Sequence, residues 1–177
     1  MEIKDSGNRR EFETGAVRDA AEGRGRCDLL PLDCVGDFFD SLARPEWNPF
    51  CRQADACCMI LKCLNDVVRG TDEKAIVKCI SHFVKVAFND KPGLALMELA
   101  KHYEQGAIKY NERNWEMGIP THCYVDSCVR HLLKWYDGWD DEPHDRAVLW
   151  NLFGLMWTLK NKPECNDLPY EKEGNEE

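Results

Sequence analysis

The predicted helix that Asp141 and Pro143 begin and that runs to about Lys160 constrains the fold most, because apolar side chains cover almost every side of it. Its apolar positions are Val148, Leu149, Trp150, Leu152, Phe153, Leu155, Met156 and Trp157. A helix that is apolar all round has to be buried, so we predict the central helix of a bundle. One stripe is small or polar and includes Asn151, which suits either an interhelical hydrogen bond or a ligand pocket.

Helical periodicity predicts further helices before this one, and no segment shows the alternation of a strand. Their predicted ranges are Pro31–Ala43, Pro49–Arg69, Asp72–Phe88, Gly93–Tyr110 and a helix from Thr121 that ends before Gly138. The predicted fold class is therefore all-α, a helical bundle that forms one domain over residues 1–160. Residues 1–30 form an irregular, basic Gly- and Arg-rich arm in this prediction. Residues 44–90 form an inserted helical hairpin, and residues 161–177 a disordered acidic tail.

Composition narrows the classes of function. The hydrophobic fraction of 44% supports a core, while the net charge of −9 argues against a general nucleic-acid binder. The chain has no run near the roughly 18 apolar residues that span a membrane, which predicts no membrane partner. It also shows no secretory signal, so we expect a cytoplasmic protein whose 10 cysteines are reduced. For the cysteines near residue 60, buried thiols are favoured over a zinc site.

Acidic residues adjoin apolar surface in three helical segments. They are Glu104, then Asp126, then Asp141, Glu142 and Asp145. On a helical wheel Glu104 lies inside an apolar arc, opposite a solvated face with His102 and Lys109. It is either a metal ligand or a carboxylate that pairs with an Arg at the bundle edge. Asp126 lies four residues before Arg130, so a surface ion pair is the alternative to a metal role there.

The basic arm predicts contacts to phosphate. Guanidinium groups match phosphate oxygens bidentately, and the Gly-rich run around Gly23 and Gly25 offers backbone donors. The P-loop pattern is missing. The alternative is a flexible basic arm without a ligand.

Four motifs stand in order along the chain. They are Arg-Arg-Glu-Phe-x-Thr-Gly-Ala-Val-Arg-Asp (residues 9–19) with Gly23-x-Gly25-Arg26-x-Asp28-Leu29-Leu30-Pro31, Glu104-x-Gly106-Ala107-x-Lys109-Tyr110-x-x-x-Asn114-Trp115-x-x-Gly118, Asp126-Ser127-x-x-Arg130-His131, and Glu142-x-His144 leading to Trp150-Asn151. Together they resemble the phage-associated dATP/dGTP diphosphohydrolase N-terminal-domain family over roughly residues 7–40 and 94–158. The resemblance implies hydrolysis of a purine deoxynucleoside triphosphate to the monophosphate and pyrophosphate. It also implies similarity to the MazG-like all-α pyrophosphohydrolases, which use Mg²⁺ and form oligomers.

From this resemblance and the residue patterns we expect the five acids named above to hold Mg²⁺ or Mn²⁺, and we expect Glu104 to be catalytic as well. The expected contacts to a purine dNTP or NTP are Arg10, Arg18, Arg26, Lys109, Asn114, Trp115, Arg130 and Asn151. His131 and His144 are expected to be metal ligands or proton carriers. We also expect a homo-oligomer. The alternatives are a non-catalytic protein of phage origin that sequesters a nucleotide, and a helical interaction module without a ligand.

Overall fold

The computed structural model describes residues 7–20, 27, 30–31, 34–36, 38, 51–70 and 75–168. Five long helices lie in these ranges: α1 Cys51–Val68, α2 Ala75–Ala87, α3 Pro92–Tyr110, α4 Thr121–Tyr136 and α5 His144–Asn161. A short 3₁₀ turn lies between α3 and α4 at Asn114–Met117, and another follows α5 at Pro163–Cys165. The prediction of an all-α helical bundle is confirmed. Residues 34–36 and 38 are helical too, within the predicted range Pro31–Ala43, most of which lies outside the described residues.

Helix α5 is the centre of the bundle, as its apolar surface predicts. It packs against α4 along its length and also contacts α2, α3 and the last 3₁₀ turn. Leu149, Leu152 and Leu155 are fully buried. Burying each such side chain stabilises the fold by about 1.5–3 kcal/mol. Helix α1 packs on α2 and α4.

Glycine and proline lie at the ends of three of these helices. Gly70, two residues after α1, and Gly138, two residues after α4, have φ of 68° and 71°. These left-handed angles favour glycine, because a Cβ would be strained there. Pro92 occupies the first turn of α3, where its missing N–H costs no hydrogen bond. Cys57, Cys58, Cys63 and Cys79 are buried free thiols, as predicted.

The prediction that the basic arm is irregular is wrong for residues 9–19. Strands β1 (Arg9–Glu11) and β2 (Val17–Asp19) form an antiparallel hairpin in which Arg10 lies opposite Arg18. Three-residue strands are too short to show alternation, and such a hairpin is marginal by itself. It is fixed by tertiary contacts: the Asn114 side chain accepts from the Val17 N–H at 2.9 Å and donates to the Val17 C=O at 3.0 Å.

The prediction that the tail is disordered is wrong for residues 161–168. Cys165 and Leu168 are buried against the bundle, and Leu168 belongs to its core. Asp167 accepts hydrogen bonds from the backbone and side chains of the first turn of α4. Residues 169–177 lie outside the described part.

The prediction of which residues α3 turns inward is also wrong in part. His102 is buried and the Lys109 side chain is only 7% exposed, although both were placed on the solvated face. Met97 and Ile108 are 63% and 83% exposed, and Glu104 between them is exposed as well. The α3 apolar arc is weak, so polar partners in the neighbouring hairpin determine the rotation of this helix. No described helix is long and apolar enough to cross a membrane.

Candidate functional site

One pocket lies between the β-hairpin and helices α3, α4 and α5. Four cationic side chains line it: Arg10 and Arg18 from the two strands, Lys109 from α3 and Arg130 from α4. We call it the cation pocket. Its four positive groups stand out in a chain whose net charge is −9. Asp19, Asp126 and Glu142 line the same pocket, so the Arg and Lys side chains outnumber the carboxylates by one. This surplus of positive charge favours an anionic ligand.

The hydrogen bonding of these cations is incomplete. Arg10 Nε, Arg18 Nη1 and Arg130 Nε are buried and find no acceptor among the described residues. Leaving a buried donor unpaired costs about 1–3 kcal/mol, and more for a charged group. All three residues line the cation pocket, and a ligand there with several oxygen acceptors would offer partners to their guanidinium groups. Phosphate oxygens are such acceptors.

Arg18 is held at the centre of the pocket by both polar and aromatic partners. Its Nη2 donates to Ser127 Oγ at 2.9 Å and to Asn151 Oδ1 at 3.4 Å. Its guanidinium lies 5.3 Å from the ring centroid of Trp150 and 5.5 Å from that of Tyr124. Asn151, for which sequence allowed two roles, therefore lines the pocket and also orients a cation.

Lys109 crosses from α3 to the hairpin. Its Nζ lies 2.7 Å from Asp19 Oδ2, and both side chains are less than a tenth exposed. Asp19 also accepts from Arg9 Nη1 at 2.9 Å, while its backbone N–H donates to the hydroxyl of Tyr110 at 3.2 Å. Asp19 was missed as a site residue, although it ends the first sequence motif. It joins the hairpin to the wall of the pocket.

Asp126 and Arg130 form the ion pair that their spacing predicts, but it is buried and not on the surface. The Asp126 carboxylate contacts Arg130 Nη2, and the two side chains are 8% and 14% exposed. The other oxygen of Asp126 accepts from the backbone N–H of Cys27 at 2.6 Å. Asp126 therefore neutralises one pocket cation and attaches the chain near residue 27 to α4.

A chain of hydrogen bonds leads from the surface to the pocket. Lys134 Nζ donates to Asp141 Oδ2 at 2.9 Å, and Asp141 Oδ1 lies 2.7 Å from His144 Nε2. His144 Nδ1 lies 2.9 Å from His131 Nδ1, and His131 lines the cation pocket. Burial, with neighbouring His144 and Arg130, holds the pKa of His131 well below its usual range. His131 is consequently neutral near pH 7.

The five acids predicted to bind metal are not brought together. Glu104 is exposed, Asp145 accepts from the backbone N–H of the next residue at 2.7 Å, and Asp141 belongs to the chain just described. Glu142 and Asp126 do line the cation pocket. Within the described ranges, no three His, Cys, Asp or Glu side chains are grouped so that they could hold a metal ion. The physical reason is that each helix turns a different face inward.

A second groove adjoins the cation pocket. It is lined by Tyr103, Glu104, Trp115 and Trp150 among others, and it shares Gly106, Tyr110, Asn114 and Trp150 with the pocket. We call it the aromatic groove. Trp115, predicted to stack on a base, packs edge-on against Trp157 with ring centroids 4.8 Å apart. Arg26 lies outside the described residues.

Sequence reasoning also missed His102, His122 and Cys123, which all line the cation pocket. Burial, together with the nearby cations Arg146 and Arg18, lowers the pKa of His102 to about 3. His102 therefore adds no charge to the pocket, and its buried Nδ1 has no partner among the described residues. Nothing in the spacing of these residues marks them, because the hairpin that completes their surroundings is remote in sequence.

The fold and this site define an all-α protein whose cationic, aromatic-walled pocket is closed by a β-hairpin. The model of the family described as dATP/dGTP diphosphohydrolase, N-terminal, matches residues 72–168, which is more than half of the 177 residues. The chain belongs to this family, as its motifs predict. No curated protein and no solved structure matches it, and its similarity to MazG-like enzymes stays a prediction. The match includes α2, while insertion of segment 44–90 stays a prediction.

Proposed function

We propose that this protein hydrolyses a purine deoxynucleoside triphosphate to the monophosphate and pyrophosphate. The observation that carries the proposal is that Arg10, Arg18 and Arg130, from three separate elements, line one pocket, and each has a buried nitrogen without an acceptor among the described residues. Lys109 adds a fourth positive charge. A triphosphate supplies the negative charge and the acceptors that these groups require. The family name, dATP/dGTP diphosphohydrolase, supports the same class of substrate.

We assign the base of the nucleotide to the aromatic groove. This groove is continuous with the cation pocket through Gly106, Asn114 and Trp150. Gly106 has open space where a Cβ would stand, so the backbone of α3 is accessible between the two regions. Stacking a base on an aromatic side chain contributes about 1–3 kcal/mol in nucleic-acid binding proteins. Trp150 separates the phosphate side from the base side in this arrangement.

His131 is the proposed general base. In this scheme His144 donates from Nε2 to Asp141, 2.7 Å away, and offers the lone pair of Nδ1 to His131. His131 must then donate from Nδ1 and carry its lone pair on Nε2. That nitrogen would accept a proton from a water as the water attacks the α-phosphorus and pyrophosphate leaves. His144 and Asp141 are positioning residues in this scheme.

The predicted Mg²⁺ or Mn²⁺ fits the pocket as a companion of the substrate. Mg²⁺ commonly keeps several waters and takes one or two carboxylates together with phosphate oxygens, without a protein cage. Glu142 and Asp126 line the pocket and are the carboxylates that would hold it. When bound, the ion would neutralise phosphate charge. Asp126 would have to share its carboxylate with Arg130, so Glu142 is the principal candidate.

The test is turnover of a panel of NTPs and dNTPs with Mg²⁺ or Mn²⁺, with products separated by chromatography. We expect His131→Gln to lower kcat at least about 100-fold, the scale of a lost general base. Binding of a non-hydrolysable dNTP should change little. The matched control is His82→Gln, because His82 lies on α2 and pairs with Asp55. Equal loss in both variants, or no loss in His131→Gln, would refute the assignment of His131.

A sequestering nucleotide-binding protein is the second candidate. One observation favours it: burial holds the pKa of His131 well below its usual range, which makes this imidazole a weak general base. This function predicts saturable binding of dNTPs by calorimetry and no product in the chromatographic assay. The cation pocket would serve both functions, so Arg18 variants would lose binding in either case.

Self-association remains a proposal that the surface of α3 supports. Leu94, Met97 and Ile108 are 48%, 63% and 83% exposed on this helix. Apolar side chains exposed in a row commonly mark an interface. Light scattering after gel filtration would give the mass of the particle, and a monomer at micromolar concentration would contradict the proposal.

A further inference from the structure

Two basic side chains contact the sulfur of Cys123, which is buried. Arg10 Nη2 donates to Cys123 Sγ at 2.9 Å. The Nε2 of His122 lies 3.3 Å from the same sulfur. A guanidinium has only donors, so the sulfur accepts from it. Cys123 is also the third residue of α4, where backbone N–H groups at the helix start favour an anion.

The imidazole of His122 is held in place from its other side. Its Nδ1 contacts the carboxylate of Asp167, which also accepts from the His122 backbone N–H at 3.0 Å and from Thr121 Oγ1 at 2.8 Å. These contacts raise the pKa of His122 to about 10, first through Asp167 and then through Cys123. His122 is thus an imidazolium between a carboxylate and a sulfur. Both of its ring nitrogens donate.

Two other buried thiols, Cys57 and Cys128, provide an internal comparison. Burial raises the pKa of Cys57 and of Cys128, and no basic side chain contributes to either shift. Thiols of this kind are inert, because the thiolate is the nucleophile. Cys123 has the opposite surroundings, with a guanidinium and an imidazolium at its sulfur. It also lines the cation pocket, which gives small molecules a route to a side chain that is 4% exposed.

We propose that Cys123 is a nucleophile and a modification site for hydroperoxides that enter the cation pocket, because a guanidinium and an imidazolium at its sulfur stabilise negative charge there. The sulfur attacks one oxygen of the peroxide, an S–O bond forms and the O–O bond breaks. The product is a sulfenic acid, and the leaving hydroxide takes a proton to become water. Sulfur is oxidised and peroxide reduced, so no other reagent is needed. The added oxygen would stand beside Arg10, in the region assigned to phosphate.

The first experiment compares alkylation rates within one molecule. The folded protein is treated with limiting iodoacetamide at pH 6, and each cysteine peptide is quantified by mass spectrometry. We expect Cys123 to react at least about tenfold faster than Cys57 and Cys128, and faster than the exposed Cys34. A thiol of ordinary pKa is almost entirely protonated at this pH. Cys123 labelling no faster than that of Cys57 would overturn the proposal.

Substitutions separate the electrostatic cause from simple access. His122→Gln and Asp167→Asn should each slow labelling of Cys123 at least about tenfold while Cys34 keeps its rate. Asp167→Asn preserves the volume of the side chain, so it covers the case in which His122→Gln impairs folding. Brief peroxide treatment followed by dimedone should label Cys123 in the unmodified protein and not in Cys123→Ser. Unchanged Cys123 rates in both variants, or dimedone on other cysteines alone, would refute the mechanism.

Discussion

Replacing Arg18 with methionine removes the charge at the centre of the cation pocket while keeping most of the side-chain stem. The guanidinium has one unpaired buried N–H, donates to Ser127 at 2.9 Å and faces the rings of Trp150 and Tyr124. In the free protein its loss relieves repulsion from the other pocket cations. In the complex it removes a charge-assisted hydrogen bond to phosphate. The substitution should therefore weaken ligand binding far more than it lowers the stability of the free protein.

The size of the effect follows from the number of contacts. A hydrogen bond that involves a charged group contributes about 1.5–3 kcal/mol. Because 1.4 kcal/mol is a factor of ten in Kd, Arg18→Met should weaken dNTP binding about 10- to 150-fold. The dNTP affinity of Arg18→Lys should lie between those of Arg18→Met and the unmodified protein, since lysine keeps the charge without the fork of donors. The melting temperature of the free protein should change little.

The assay is isothermal titration with a non-hydrolysable dNTP, in parallel with inorganic triphosphate. Inorganic triphosphate should lose affinity by the same factor, because Arg18 is assigned to phosphate and not to the base. The control is Arg52→Met, the same substitution at an exposed position of α1. If Arg18→Met binds within twofold of the unmodified protein, the unpaired arginine donors are not a phosphate site and the reasoning fails.

Two further predictions concern stability. A Cβ on Gly154 would lie 2.4 Å from the ring of buried Tyr124, so Gly154→Ala should lower the free energy of unfolding in urea by about 1–3 kcal/mol. The same change at Gly106, where the space is open, should raise it by up to about 1 kcal/mol. Equal effects of the two substitutions would contradict the packing argument. For the His122–Asp167 pair, a pKa raised to about 10 and one lowered to about 2 mean that its contribution is complete between about pH 4 and 6.5. It is lost as the pH rises through about 10 or falls towards 2. Asp167 is 41% exposed, so we expect only about 1 kcal/mol, measured as a difference between the protein and His122→Gln that shrinks above pH 9.

How far the sequence predicts the site depends on the range of the interaction involved. Asp126 and Arg130 pair as their i, i+4 spacing predicts, since both stand on one helix. Sequence also placed Arg10, Arg18 and Lys109 in one phosphate site, and all three line the cation pocket. Glu104 shows the limit. Its helical wheel has apolar neighbours on both sides, yet the structure leaves it exposed.

The orientation of α3 explains that limit. Helix α3 turns Lys109 inward because its partner Asp19 lies in the hairpin. The Nζ of Lys109 is 2.7 Å from Asp19 Oδ2. A periodicity argument counts apolar residues only, so it cannot include a buried ion pair whose partner is 90 residues away. The same holds for Asp167, which the composition of the tail assigns to disorder and which instead orients His122.

By itself the sequence determined the family, the helices and the central position of α5, because these depend on local spacing and on total apolar surface. Tertiary structure alone decided that residues 9–19 form a hairpin, which acids leave the pocket and which cysteine meets two cations. Those features arise where side chains from distant segments satisfy one another's charges and hydrogen bonds. Such pairings have no period along the chain, so only the folded arrangement of α3, α4, α5 and the hairpin reveals them.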